Sequence, residues 1–300
     1  MRRVVSYAMA NIKKKLPGNI EGNFFVDSTC INCDACRQLA PETFQEQQDF
    51  SSVYHQPAGD PDNHHAYQAM IACPVGSIGV MQPDRDQWQA AMASFPLHLD
   101  DSLYYAGFNS EKSFGGNSYV LQHAKGNWLI DSPRYIKHLV DAFERMGGIR
   151  YIFLTHEDDV ADAARYAKRF GATRVIHRAD LAAVPNAEWI VEGGEPIVVS
   201  EDIHIIPVPG HTPGSMALLY DSRYLFTGDH VWWDRERNRL DIPQVYVSNQ
   251  RDLERSTEKL LDVSFEWVLP GHGDRMHGSR EQMRREVERL VQRIQRSVNH

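Results

Sequence analysis

Apolar residues follow two spacings along this chain, and the changes between them mark out its elements. RYIKHLVDAFERM places Ile136, Leu139, Val140 and Phe143 at intervals of three and four, which predicts an amphipathic helix. YIFLTH then reads as a buried strand, and VADAARYAKRF as a helix closed by Gly171. Next come TRVIH, EWIVEGG, EPIVVS, IHIIPVP, SMALLYD and RYLFTGD, a β-rich run punctuated by Gly and Pro. Shorter strand-like runs, SLYYAGF, NSYVLQH and NWLIDS, begin near residue 102. A helix near QRDLERSTEKLLDV, a strand in FEWVLPGHG and a charged helix from Ser279 onward complete the series. Strands come in groups, each followed by helices. That predicts an α+β fold with two sheets packed face to face and helices outside, rather than a doubly wound parallel sheet.

The first third of the chain reads differently. Residues 1–19 form a basic N-terminal segment. Residues 20–81 are loop-rich, with a helical stretch around HHAYQAMIAC, and make a first small domain. QPDRDQWQAAMASFPLHLDD, residues 82–101, reads as a helix and a linker, and residues 102–300 make the second domain. No internal repeat or low-complexity tract interrupts them.

The 300 residues are 42% apolar, enough for a domain of ordinary size and a smaller companion. A net charge of −8 argues against a broad phosphate-binding face, so no nucleic-acid partner is expected. MRRVVSYAMANIKKKLPGNIEG is basic but lacks the apolar core of a secretory signal, and Met9 is an alternative start. No apolar run is long enough to span a bilayer. A cytoplasmic protein with no membrane partner is the expectation.

All four cysteines, Cys30, Cys33, Cys36 and Cys73, lie in the first quarter of the chain. Three fall within seven residues, where paired disulfides would be strained. Thiolates at two-residue gaps can instead wrap three corners of an iron–sulfur cube, with a distant fourth closing it and Pro74 turning the chain away. Tetrahedral zinc is the rival, but it usually takes its ligands as two pairs. VDSTCINCDAC, LAPETF and ACPVGSI together resemble a bacterial single-cluster [4Fe-4S] ferredoxin over residues 20–80.

Further on, four strand ends each carry a metal-binding side chain beside Gly or Pro. They are His156 with Asp158 and Asp159 in THEDDVAD, His211 in PGHTPGS, Asp229 in TGD and His272 in PGHGD. Singly, a histidine after Pro-Gly is more often a turn residue than a ligand. Together they suggest loops crowding around one point. The series resembles the metallo-β-lactamase superfamily over residues 100–275, with Asp131 in IDSP as a further match. The resemblance implies an αβ/βα sandwich with a metal site on one edge. In it His211 serves a first metal, Asp229 bridges and takes part in catalysis, and His272 serves a second.

The first motif departs from that family's THxHxDH. Without a gap, Asp158 takes the second histidine's place. With a two-residue deletion, Asp158 and Asp159 replace the Asp-His pair. Both registers leave Asp158 as a ligand, and only the second includes Asp159. The bland alternative is that these acids merely favour a helix N-terminus. Asp162 is expected to face solvent or cap the helix, and His177, His204 and His230 to be structural. Trp232, Trp233 and Tyr246 read as pocket wall or aromatic core.

One or two metal ions are therefore expected besides the [4Fe-4S] cluster. Oxygen ligands favour iron, with zinc or manganese as alternatives. A one-electron cluster beside a non-haem iron site favours an oxidoreductase acting on a small molecule and fed by an electron-donor protein or reductase. The alternative is a metal-dependent hydrolase of an ester or thioester, with the ferredoxin-like domain as redox sensor or docking module.

Overall fold

The computed structural model describes residues 10–298, and the chain divides into two units. The alternative start at Met9 lies outside the described residues, as do residues 1–8 of the basic segment. The first unit takes residues 1–120 and 133–145, and the second takes 121–132 and 146–300.

In the first unit, strands Phe24–Val26 and Ile78–Val80 pair antiparallel, and Phe44–Gln47 forms a hairpin with Phe50–Val53. Helix Asp60–Ala72 opens with Asp60, Pro61 and Asp62, residues that suit a first turn, and buries Ala66, Tyr67, Ala69 and Ile71. Phe24 meets Tyr67 edge-on at 5.3 Å, with both rings almost fully buried. Residues 82–101, expected as partly linker, are structured throughout most of their length. Asp84 caps helix Arg85–Ala93, accepting from the amides of Asp86 and Gln87. The Asp84 amide in turn donates to the Tyr67 hydroxyl at 2.7 Å, and strand Leu97–Asp100 pairs with Leu103–Tyr105. Tertiary packing on Tyr67 and Ala91 thus overrides the polar look of this stretch. The amphipathic helix appears as Lys137–Arg145, burying Leu139, Val140 and Phe143.

In the second unit, Trp128–Ile130, Tyr151–Phe153, Thr173–His177 and Trp189–Val191 form a parallel run. A second sheet has six strands in the order Ile197–Val198, Ile203–Pro207, Met216–Tyr220, Tyr224–Gly228, Trp267–Pro270 and Met276–His277. Only Tyr224–Gly228 and Trp267–Pro270 run parallel there. Alternate residues of this sheet face opposite ways, and both faces are buried. Ile206, Ala217, Leu219, Leu225 and Val268 pack with Leu253, Met283, Val287 and Leu290 from helices Gln250–Lys259 and Arg280–Val298. Ile205, Leu218, Phe226 and Leu269 fill the other face. Strands and helices together give the expected α+β class.

Candidate metal centres

The loop Asp27–Asp34 shapes the cysteine region. Asn32 and Asp34 both take left-handed backbone conformations, which short polar side chains tolerate. Arg37 staples the loop, donating to Asp34 at 2.5 Å, Asn32 at 2.6 Å and the Ser51 hydroxyl at 2.7 Å. All four cysteines are free and line one small cavity with Val26, Ser51 and Ile78. Backbone amides already point at two sulfurs. Asn32 and Ser51 donate to Cys30 at 3.4 Å, and Ser77 donates to Cys73 at 3.3 Å.

Burial, then the neighbouring Cys73 and Cys36, push the Cys33 thiol well above its usual range, and burial pushes Cys36 up to about 12. Four thiolates are stable here only with a cation among them. Residues beyond 81 complete the surroundings. Arg134 donates to the carbonyls of Ile71 at 2.9 Å and Cys73 at 3.2 Å, and the Asn109 amide donates to Ala72 at 3.2 Å. Gly115 has φ +85°, and a Cβ there would stand 2.6 Å from Cys33 Cβ and 2.8 Å from its sulfur. The sequence reading missed Gly115, Arg37 and Arg134. Only the doubled glycine of FGGNS offered a signal.

In the second unit the chemistry sits at strand ends. His156 follows Tyr151–Phe153, and Asp229 and His272 follow the neighbouring parallel strands Tyr224–Gly228 and Trp267–Pro270. His211 lies in the turn between Ile203–Pro207 and Met216–Tyr220. The imidazoles of His156 and His211 stand 4.9 Å apart between ring centres. His156 Nε2 lies 3.8 Å from Asp158 Oδ2 and 3.7 Å from Asp229 Oδ2, and the same two oxygens lie 3.4 and 3.6 Å from His211 Nε2. Donors bound at about 2.1 Å around a tetrahedral ion stand about 3.4 Å apart, so the spacing suits a first-row metal. Asp159 joins His156 and Asp229 in a second such group. His272 Nδ1 lies 2.9 Å from Asp229.

His156 Nε2, His211 Nε2 and both Asp159 carboxylate oxygens are buried without a hydrogen-bond partner. Such orphans are rare in folded proteins, and three residues' worth at one point fit a cation as their missing partner. Electrostatics point the same way. Burial and the adjacent Asp229 push the Asp159 carboxyl well above its usual range. Burial also pushes Asp229 up, but His272, His156 and His211 outweigh it and hold that carboxyl well below normal. One carboxylate of the pair keeps a proton that a metal ion would displace.

Both acids reach the centre because Glu157–Asp159 form a 3-10 turn, where consecutive side chains differ by about 120°. Asp158 lies with the two histidines of the first group, as in the ungapped register. Asp159 lies in the second group, as in the gapped one. Neither register alone describes the geometry. Gly271 allows the approach, because a Cβ there would stand 2.6 Å from Asp229 Oδ1 and 2.8 Å from Asp159 Oδ2.

Two supports hold these side chains. Asp131, in a left-handed conformation, accepts from the Thr155 amide at 2.8 Å and its hydroxyl at 3.0 Å. Thr155 Oγ1 also lies 2.9 Å from His156 Nδ1. With Asp131 ionised, the threonine proton goes to it, so the ring donates through Nδ1 and leaves the Nε2 lone pair facing the centre. Burial pushes Asp131 up to about 8, and a cation in the centre favours its ionised state. The second support, Asp180, went unnoticed in the sequence. Fully buried, it accepts from Glu157 N at 3.0 Å, Thr212 Oγ1 at 2.5 Å and Gly214 N at 2.8 Å. It therefore ties the Asp158 turn to the His211 turn. A lone aspartate in HRAD carries no motif that would have announced this.

The remaining candidates stay outside the centre. Asp162 sits at the start of helix Ala163–Phe170 without a side-chain cap bond, is mostly buried, and pairs with Arg165 at 3.8 Å. That corrects the expectation of a solvent-facing or capping acid. His177 contacts the Gly193 carbonyl, and His230 lies buried beside Thr257. Trp233 is core, and Tyr246 is 89% exposed.

Fold and site together define a metalloenzyme joined to an iron–sulfur domain. Two family models match the chain: "4Fe-4S single cluster domain of Ferredoxin I" over residues 26–80, and "Metallo-beta-lactamase superfamily" over residues 94–290. The second covers more than half of the chain, which belongs to the metallo-β-lactamase superfamily and carries a ferredoxin-type single-cluster domain. A hydroxyacylglutathione hydrolase from Acidiphilium cryptum is 29% identical over 119 residues, covering 38% of this chain and 49% of that protein. Beta-lactamase-like protein 2 homolog of Drosophila melanogaster is 25% identical over 213 residues, covering 62% and 64%. The chain thus spans about half to just under two-thirds of the length of these relatives. Among solved structures, a metallo-β-lactamase superfamily protein from Sulfolobus tokodaii shares 18% identity at a TM-score of 0.44, covering 64% of this chain and 86% of that one. Among the described residues, no helix is long and apolar enough to cross a membrane.

Proposed function

We propose that this protein is a metal-dependent hydrolase of a small ester or thioester. The observation that carries this reading is the convergence of His156, Asp158, His211 and Asp229 with ligand atoms 3.4–3.8 Å apart. Asp159 and His272 extend the same set toward a second ion. These residues would hold metal ions, which would supply Lewis acidity and an activated water, so no serine or cysteine nucleophile is required. The protein's own residues do the rest. The Asp131–Thr155–His156 chain fixes a ring tautomer, Asp180 holds two loops in register, and Asp229 keeps a carboxylate ionised between three imidazoles. Hydroxyacylglutathione hydrolases among the relatives support a thioester as substrate class.

In the first unit, Cys30, Cys33, Cys36 and Cys73 would hold the [4Fe-4S] cluster, with an electron-donor protein or reductase as partner.

The test is hydrolysis of a 2-hydroxyacyl thioester of glutathione by anaerobically prepared protein loaded with zinc, iron or manganese. Activity that depends on added metal and disappears in Asp229→Asn supports the reading. Full activity in that variant overturns it.

The redox reading suggested by the acid-rich motif takes second place, because several of the relatives are named hydroxyacylglutathione hydrolases. One observation still favours it: Asp158 and Asp159 supply oxygen where imidazole would suit zinc. Elemental analysis separates the two. Iron in excess of the cluster's complement, changing its spectrum as the cluster is reduced, supports an oxidoreductase, and near-stoichiometric zinc removes it.

A further inference from the structure

The first unit contains an open cleft of about 240 Å³ on the side of Cys73, somewhat smaller than most small-molecule sites and so suited to a single ring system whose substituents remain outside. One wall is the segment Cys73–Gly76, which leads away from the cysteine itself. Met70, Trp88, Met92 and Phe108 supply the rest of the apolar lining, and Glu111 and Arg134 are its charged groups. Two thioethers and two aromatic rings suit a flat conjugated ligand, since sulfur and ring faces both favour π-systems.

The backbone adds a second observation. Phe108 has φ +51°, a conformation that bulky residues rarely adopt. It is held there in part by its carbonyl, which accepts from the Arg134 amide at 2.9 Å. Strain of this kind tends to collect at functional sites. The Arg134 guanidinium, anchored on the Ile71 and Cys73 carbonyls, brings a fixed positive charge to the cleft wall.

We propose that this cleft binds a planar, carbonyl-bearing redox ring, a quinone or a flavin, against the Cys73–Gly76 segment. The proposal rests on Cys73 being a cluster ligand and is independent of the reaction at the second unit's metal centre. Exchange needs no bond to form or break. One electron supplied to the cluster by an external one-electron reductant passes to the ring, which is reduced by one as the cluster is reoxidised by one. The negative charge gained by the ring is stabilised by Arg134, the kind of electrostatic support that proteins give to such cofactors.

The full-length, anaerobically purified protein, with its iron and sulfide counted, is dialysed separately against menadione and FMN. One equivalent of at least one probe should bind and alter the EPR line shape of the dithionite-reduced cluster. Menadione binding alone assigns a quinone, and FMN binding alone a flavin. Met92→Trp, which fills the cleft, and Trp88→Ala, which strips a wall, should each weaken binding at least tenfold with the iron and sulfide counts unchanged. Failure of both probes to bind overturns the proposal. So does unchanged affinity in either variant, or a bound ring that leaves the EPR signal untouched. A parent protein without iron and sulfide instead refutes the cluster reading on which the proposal rests.

Discussion

The cysteine region and the histidine–carboxylate region both gather candidate metal ligands, but they handle the charge of those ligands in opposite ways. In the first, three of the four cysteines fall within seven residues, and amides already bond to Cys30 and Cys73. Burial simply keeps the Cys33 and Cys36 thiols protonated and neutral. In the second, the candidate residues spread over 116 positions, from His156 to His272, and are carried by separate strand ends and turns. There Asp159 and Asp229 compete for one negative charge, the first carboxyl pushed up by burial and by Asp229, the second held down by three imidazoles. A contiguous motif can lower its own charge. A convergent one is left with whatever charges the fold brings together.

The sharpest way to break the comparison is to remove one ligand from each region. Cys33→Ala should convert or abolish the cluster, seen as lost iron, sulfide and visible absorbance, while the second centre keeps its metal. Asp229→Asn should do the reverse. It should weaken metal binding by more than the ~10–100-fold typical of outer-shell changes, with the cluster's spectrum intact. Loss of both centres in either variant would mean that they do not form separately.

A smaller effect is expected at Asp180, which touches no proposed metal position. Asp180→Asn should weaken metal binding about 10–100-fold and lower stability by about 1–3 kcal/mol, read by metal titration and urea denaturation. Unchanged metal affinity would reduce Asp180 to a purely structural role.

The most graded effect concerns acid. Burial pushes His230 down to about 3, so the folded protein keeps it neutral where the unfolded chain, near 6.5, takes up a proton. Stability from this group is therefore full above pH 6.5. It falls by up to about 1.4 kcal/mol per pH unit as pH drops from there toward 3. His230→Gln should flatten that slope in denaturation curves measured between pH 4 and 7.

Much of this was legible in the sequence because short-range physics decides it. The α+β class followed from strand groups and their helices, and the cysteine spacing announced its domain. What stayed hidden depends on tertiary contact. The helix Arg85–Ala93 belongs to the first unit because Asp84 meets Tyr67, 17 positions away. The hairpin of Trp232–Asp234 with Arg239–Asp241 was missed because DRERNRLD, across its turn and second strand, carries almost no apolar pattern. THEDDVAD could not be aligned because its acids lie on a tight turn whose rotation, set partly by Asp180, no linear register expresses.

Gly115, Asn109 and Arg134 lie within the stretch that matches the metallo-β-lactamase superfamily, yet they surround the cysteines. For the lineage that carries this gene, the fusion has no clean seam. A ferredoxin module cut out after residue 93 would leave these three residues behind, and an unrelated module put in its place would meet a surface shaped for Cys33 and Cys73. The two parts are therefore expected to be inherited, lost and remodelled together, with changes around the cysteines answered by changes at residues 109–117 and 134.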